Sequence, residues 1–169
     1  MTVVIRLTGL PATGKTHLRT SLAERTGLPA TGIDDQRRRL LLPGESFPHG
    51  RDGIAWRRLR ETIRSSDAVI VETSGASPHE HRLYLAGDLV FTVLCVADYD
   101  TRRRRLLERS RDPSSGIGIE DAARLLAHRP PKVDADLVVD TTDDAGIGQA
   151  VREVAQWARS RAVAAVGRA

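Results

Sequence analysis

Four short clusters in the 169-residue chain carry side chains suited to handling phosphate. Gly9-Leu10-Pro11-Ala12-Thr13-Gly14-Lys15-Thr16 fits the pattern G-x-x-x-x-G-K-[ST] at every fixed position. The two glycines permit the backbone angles and close approach of a phosphate-cradling turn. Lys15 is placed to reach β- and γ-phosphates, and the Thr16 hydroxyl to ligate magnesium. Asp34-Asp35-Gln36-Arg37 sets an acid three residues before an arginine, which suits a general base beside an anion clamp, although either aspartate can also cap a helix. Glu72-Thr73-Ser74 follows an apolar run, so Glu72 is a candidate to hold magnesium through water, with Thr73 and Ser74 as substrate contacts. A solvated strand end is the alternative. Finally, Arg102–Arg105, Arg109 and Arg111 precede Asp112–Gly118, as arginines of a lid closing over phosphates would. Arg105 and Arg109 are four apart and share a helix face, whereas Arg103 and Arg104 point elsewhere.

These clusters need a scaffold that brings them to one edge. Short apolar runs at Val3–Leu7, Ala68–Val71, Phe91–Val96 and Leu137–Val139, with a weaker one through Ala30 and Ile33 to Asp34, alternate with longer amphipathic stretches. The runs are rich in β-branched residues and do not alternate, which predicts parallel strands covered on both faces. Helices are expected at Lys15–Arg25, Asp35–Leu41, Ile54–Arg64, Pro78–Ala86, Thr101–Arg109, Ile119–Ala127 and Ala145–Val166. The last carries Ile147, Val151, Val154 and Trp157 on one stripe for docking against the sheet. Pro43–Gly53 and Ser110–Gly118 are expected to be mobile loops. In the glycine-rich turn, strand, loop and helix therefore agree. An acid at the carboxyl end of a parallel strand, as Asp34 and Glu72 are expected to be, lies where such sheets bind ligands.

Composition narrows the classes further. The length suits one domain, 1–169, and Cys95 as the lone cysteine excludes a disulfide framework or a cysteine-rich zinc site. No apolar stretch approaches the roughly 20 residues of a membrane span, so a cytoplasmic location is expected. The net charge is +4, yet only Lys15 and Lys132 are lysine among 26 basic residues. Arginine cannot replace an ammonium conservatively in so tight a loop, which makes Lys15 conspicuous. His79 and His81 have a spacing that does not align two metal ligands on a helix. No Asn-Lys-x-Asp motif for guanine appears. Two Trp, two Tyr and two Phe leave few platforms for stacking single-stranded bases, so nucleic acid is not the favoured partner.

With its motifs in this order, the chain resembles the small P-loop kinases of the nucleoside-monophosphate-kinase-like fold. Within that fold it is similar to the group holding small-molecule kinases, polynucleotide 5′-hydroxyl kinase domains, and zeta-toxin-like and chloramphenicol phosphotransferase-like enzymes. The resemblance runs from the P-loop to Val138-Val139-Asp140-Thr141-Thr142, which resembles the final strand and the loop beside the adenine. It implies a three-layer α/β fold with a five-stranded parallel sheet in the order 2-3-1-4-5, helices on both faces, and a lid at about 102–118. By resemblance Asp34 is the base and Arg37 assists at the acceptor. Glu72-Thr73-Ser74 followed by Pro78 to Arg82 matches an acid-Thr-polar triplet and a later arginine, and Arg105 and Arg109 are the lid arginines. Glu72 stands where an aspartate is usual, and Glu120-Asp121-Ala122 where Ser-Asp-Ala is common. The implied cofactors are ATP and Mg²⁺, with phosphates on Gly9–Thr16, adenine near Thr141 and Thr142, and a small hydroxyl compound as acceptor. A polynucleotide or nucleoside kinase is the alternative within enzymes, and a nucleotide-dependent switch or ATPase the alternative outside kinases.

Overall fold

The computed structural model describes residues 1–45, 47–112 and 117–166, with side chains as far as residue 160. Five strands form one parallel sheet: β1 (Val3–Thr8), β2 (Ala30–Gly32), β3 (Ala68–Glu72), β4 (Leu89–Val96) and β5 (Leu137–Asp140), in the order β2-β3-β1-β4-β5. The non-alternating apolar runs take this form because both faces are covered. Ile5, Leu7, Ile70, Val93, Cys95 and Val139 meet Leu18 and Leu22 of α1 (Lys15–Thr26) and Ile147, Ala150, Val154 and Ala158 of α6 (Asp144–Val166). The expected stripe on that last helix does face the sheet, and Trp157 stacks on Phe91 with ring centroids 4.5 Å apart.

On the opposite face, Val4, Val69 and Val71 pack with Ile33 of α2 (Ile33–Arg38) and with Ala55, Trp56, Leu59 and Ile63 of α3 (Asp52–Arg64). A small third cluster joins Ala12 to Leu106 of α4 (Tyr99–Arg111) and Ala122 of α5 (Ile119–Leu126). No helix among the described residues is long and apolar enough to cross a membrane.

Three expectations change. Pro78–Ala86 is not a helix but a single 3₁₀ turn, Glu80–Arg82. The chain cannot continue helically there because Glu80 turns inward, accepting from Gly75 N–H at 3.1 Å and pairing with Arg6, while Leu83 enters the core. The second strand stops at Gly32 rather than running to Asp34, so Asp34 and Asp35 occupy the first turn of α2, and that helix ends at Arg38 instead of Leu41. Helix α4 runs from Tyr99 to Arg111, because Asp98 caps it by accepting from Thr101 N–H at 2.7 Å. Of the expected loop at Ser110–Gly118, and of the lid at 102–118, residues 113–116 lie outside the described residues.

Candidate active site

The glycine-rich loop leaves the carboxyl end of β1 and enters α1 at Lys15, as its spacing requires. Gly9 has φ 141°, and a Cβ there would fall 2.3 Å from the backbone oxygen of Cys95, so only glycine fits against β4. Gly14, φ 72°, sits just before α1 with no side chain capping that helix, which leaves its first amides directed at the loop's concavity. Ala12 is a non-glycine residue at φ 63°, held there by burial against Leu106 and Ala122. Lys15 Nζ donates to Gly9 O at 3.0 Å and Leu10 O at 2.8 Å. Burial lowers its ammonium pKa from the ordinary value, against the opposing pull of the Glu72 and Asp34 charges, and Arg109 adds a repulsion that also lowers it. The charges of Glu72, Asp34 and Arg109 thus all act on Lys15. Burial pushes the nearby Cys95 thiol up to about 12, which keeps it inert.

Carbonyls on the outer side of the loop are held by α4 and by the residue after β5. Arg102, 6% exposed, donates from Nε to Pro11 O at 3.2 Å and from Nη2 to Leu125 O at 3.3 Å. Arg105 donates to Ala12 O at 3.2 Å and to Thr141 O at 2.6 Å. Thr141 is wholly buried, and its hydroxyl donates to Thr13 O at 2.8 Å. Its side chain therefore faces the loop and not an open nucleotide surface. Thr142 accepts from Asp98 N–H at 3.3 Å and is partly exposed. Arg103 and Arg104 are exposed, as their place on the helix predicts.

The acidic side separates the two aspartates. Asp34 has a side chain 74% exposed and accepts from Arg37 Nη1 at 2.9 Å. Arg37 Nε donates to Asp52 Oδ1 at 2.8 Å, and its guanidinium lies 5.2 Å from the Phe47 ring centroid and 5.9 Å from that of Trp56. Burial opposes the charge of Arg37, but the hydrogen bonds to Asp52 and Asp34 outweigh it and raise its pKa. Asp35, by contrast, accepts from Arg19 at 2.5 Å and pairs with Arg38. Burial works against its ionisation, but these bonds hold its carboxyl below the usual range.

Glu72 lies level with Leu7 of β1 and Gly32 of β2, and its Oε1 accepts from the Thr16 hydroxyl at 3.0 Å. A hydroxyl and a carboxylate oxygen so placed are hard donors of the kind magnesium takes when nucleotide phosphates and water complete its shell.

Lys15, Thr16, Asp34, Arg37 and Glu72, with Arg105 and Arg109, thus belong to one edge of the sheet. Thr73 and Arg82 are candidates with no bond to these groups. Thr73 is buried directly after Glu72, and Arg82 is exposed and bonded to His81; neither makes a hydrogen bond or ion pair with Lys15, Thr16 or Asp34. Ser74 is exposed, with its hydroxyl accepting from Ala76 N–H at 3.4 Å. Arg19 is a contributor that the motifs did not single out, and Arg102, expected only within the lid run, is instead a support of the loop. The available signal was the position of Arg19, one helical turn after Lys15.

The chain matches no protein-family model and no curated protein. Among solved structures it is similar to a provisionally described kinase from Chloroflexus aurantiacus, with TM-score 0.70, 22% identity, and 96% of this chain and 97% of that one covered. It is also similar to the shikimate kinase of Aquifex aeolicus, with TM-score 0.58, 17% identity and coverage of 95% and 98%. A gluconokinase of Sinorhizobium meliloti aligns with TM-score 0.51, 17% identity and coverage of 90% and 94%. At these identities the likeness establishes a shared fold, the five-stranded parallel α/β architecture found in these kinase structures.

Proposed function

We propose that the chain is a single-domain ATP-dependent kinase that transfers the γ-phosphoryl group to a hydroxyl of a small molecule. The observation that carries this reading is the convergence of Lys15, the Thr16–Glu72 pair and the exposed Asp34 at the carboxyl edge of the sheet. In this scheme Gly9–Thr16 cradle the phosphates, and Asp34 accepts the proton of the acceptor hydroxyl. That oxygen attacks the γ-phosphorus in line as the bond to the bridging oxygen breaks, and ADP leaves with the electron pair. Asp34 suits the base because water and acceptor reach it, whereas Asp35 is occupied by Arg19 and Arg38. Arg37 orients Asp34 and Ser74 offers a hydroxyl to the acceptor, while Thr142 lies at the adenine side.

Lys15 and Arg109 balance charge spread over the transferring oxygens, while Arg105, bonded to Ala12 O and Thr141 O, acts by holding the loop that carries Lys15, so the chain acts chiefly by positioning and electrostatics. Thr16, and Glu72 through water, would hold Mg²⁺, which when bound neutralises phosphate charge. The neighbours described as shikimate kinase and gluconokinase support a small-molecule acceptor by fold likeness.

A screen of sugars, hydroxy acids, nucleosides, hydroxylated antibiotics and 5′-hydroxyl oligonucleotides, read by ADP release, tests the proposal. Acceptor-dependent release with a phosphorylated small-molecule product is the expected result. Release that ignores every acceptor would instead mark an ATPase or switch.

A further inference from the structure

Arg19 stands one turn along α1 from Lys15, with its side chain 14% exposed. Its Nη1 donates to Asp35 Oδ2 at 2.5 Å and lies 3.4 Å from Glu72 Oε2, while Nη2 is 3.5 Å from Asp35 Oδ1. The other oxygen of Glu72 accepts from Thr16 at 3.0 Å. Gly32, the last residue of β2, makes room for this guanidinium: a Cβ there would lie 2.7 Å from Arg19 Nη1 and 3.2 Å from Glu72 Cβ and O. One cation therefore ties the helix after the phosphate loop, the helix bearing both aspartates and the strand ending in Glu72.

We propose that Arg19 is a positioning residue. By binding Asp35 and the second oxygen of Glu72, it holds the first oxygen of Glu72 at the Thr16 hydroxyl, where a nucleotide-bound divalent cation would be met. It also withdraws Asp35 from the acceptor side, leaving Asp34 as the available carboxylate. The proposal rests on the kinase reading for the chemistry it serves, but what it predicts directly is nucleotide and cation binding, which needs no acceptor. Without the guanidinium, two carboxylates share a largely enclosed space with no common counter-charge, and the Thr16 hydroxyl is left as the one side-chain hydrogen bond orienting Glu72 among the described residues. Lysine would restore the charge but not the two-nitrogen grip on Asp35 that aims Nη1 at Glu72.

The test compares the parent with Arg19→Gln, Arg19→Lys and Gly32→Ala. A fluorescent ATP analogue is titrated with and without Mg²⁺, Mn²⁺ bound to the ADP complex is followed by electron paramagnetic resonance, and melting temperature serves as the control for folding. For Arg19→Gln the metal-free affinity should stay within about twofold of the parent. The gain on adding Mg²⁺, and the Mn²⁺ affinity, should fall about 10- to 100-fold, the loss typical of removing a group that orients a metal ligand. Arg19→Lys should recover part of that loss. Gly32→Ala should show an intermediate loss, because it displaces the guanidinium without removing any charge.

An unchanged Mg²⁺ gain in a folded Arg19→Gln protein overturns the proposal. An equal loss of metal-free and metal-bound affinity also overturns it, because that is what a merely structural role produces. Should Arg19→Gln not fold, the same ratio in Arg19→Lys and Gly32→Ala decides. A reduced ratio in a protein whose parent phosphorylates no acceptor would leave the role of Arg19 standing and the kinase reading refuted.

Discussion

Asp34 and Asp35 are neighbours in sequence, yet their surroundings give them different work. Asp34 is open to water with one arginine beside it, while Asp35 lies between Arg19 and Arg38. Asp34→Asn should therefore reduce turnover by at least about 100-fold, as loss of a general base does. Its effect on ATP affinity and melting temperature should be small. Asp35→Asn should do the reverse in stability, weakening charged hydrogen bonds worth about 1–3 kcal/mol and lowering the melting temperature by several degrees. The pH dependence follows from the direction of the Asp35 shift. Its folded pKa is depressed, so its contribution is complete above the unfolded value of 3.8 and is lost as pH falls through the folded one. Melts of parent and Asp35→Asn should differ at pH 7 and converge as pH is taken below 3.8. If Asp35→Asn is instead the inactive protein, the base is the other aspartate. Lys15→Ala should lower turnover roughly 100- to 1000-fold with the fold retained, because it removes one electrostatic donor at a site built from backbone. Turnover retained under saturating ATP would refute the phosphate-loop mechanism.

Among the elements, the phosphate loop depends on more than its own glycines. Arg102 and Arg105 reach from α4 to the carbonyls of Pro11 and Ala12, and Ala12 keeps its left-handed backbone by packing against Leu106 and Ala122. A loop anchored from α4 and α5 is ordered before nucleotide arrives, which reduces what binding must spend on ordering it. Arg102→Leu keeps apolar bulk but leaves Pro11 O and Leu125 O without their donor, so ATP affinity should fall about tenfold, for roughly 1.4 kcal/mol of lost preorganisation. Calorimetric titration against the parent checks this, and an unchanged dissociation constant would show that the loop is ordered without α4. The loop itself was legible from residues 9–16 because its chemistry is local, with strand, turn, lysine and helix consecutive in the chain. Its supports were not legible, because Arg102 meets Pro11 across 91 residues and sits in a run of four arginines that offers no local distinction. The helix expected at Pro78–Ala86 fails for a similar reason: Glu80 is drawn inward by Arg6 and Gly75 N–H, contacts that are distant in the chain or outside helical geometry.

At the scale of the molecule, the charge of +4 acquires a different meaning once each guanidinium is followed to its partner. Arg6, Arg19 and Arg102 are largely buried and hold Glu80, Asp35 with Glu72, and the loop carbonyls, while the half-buried Arg37 and Arg51 pair with Asp34 and Asp52, and with Glu45. These arginines serve internal ion pairs and loop support rather than a basic surface. The outward basic residues are spread over several elements, among them Arg57, Arg58 and Arg64 on α3, Arg38 on the neighbouring α2, and Arg103, Arg104, Arg109 and Arg111 on α4. Glu61 is exposed on α3, and Asp100 and Glu108 on α4. Arginines interspersed with acids and accompanied by few aromatic side chains offer a polyanion attraction with few stacking platforms. A labelled 5′-hydroxyl oligonucleotide should accordingly bind weakly, losing about tenfold or more in affinity between 50 and 200 mM salt as counterion release dictates, while affinity for ATP·Mg²⁺ changes far less. The same oligonucleotide, at a concentration that saturates binding in low salt, should leave phosphotransfer to the small-molecule acceptor undiminished. Salt-resistant binding together with competition against that acceptor would move the assignment to a polynucleotide kinase. In that case the acceptor side, where Arg37 lies over Phe47 and Trp56, would have to admit a nucleotide base.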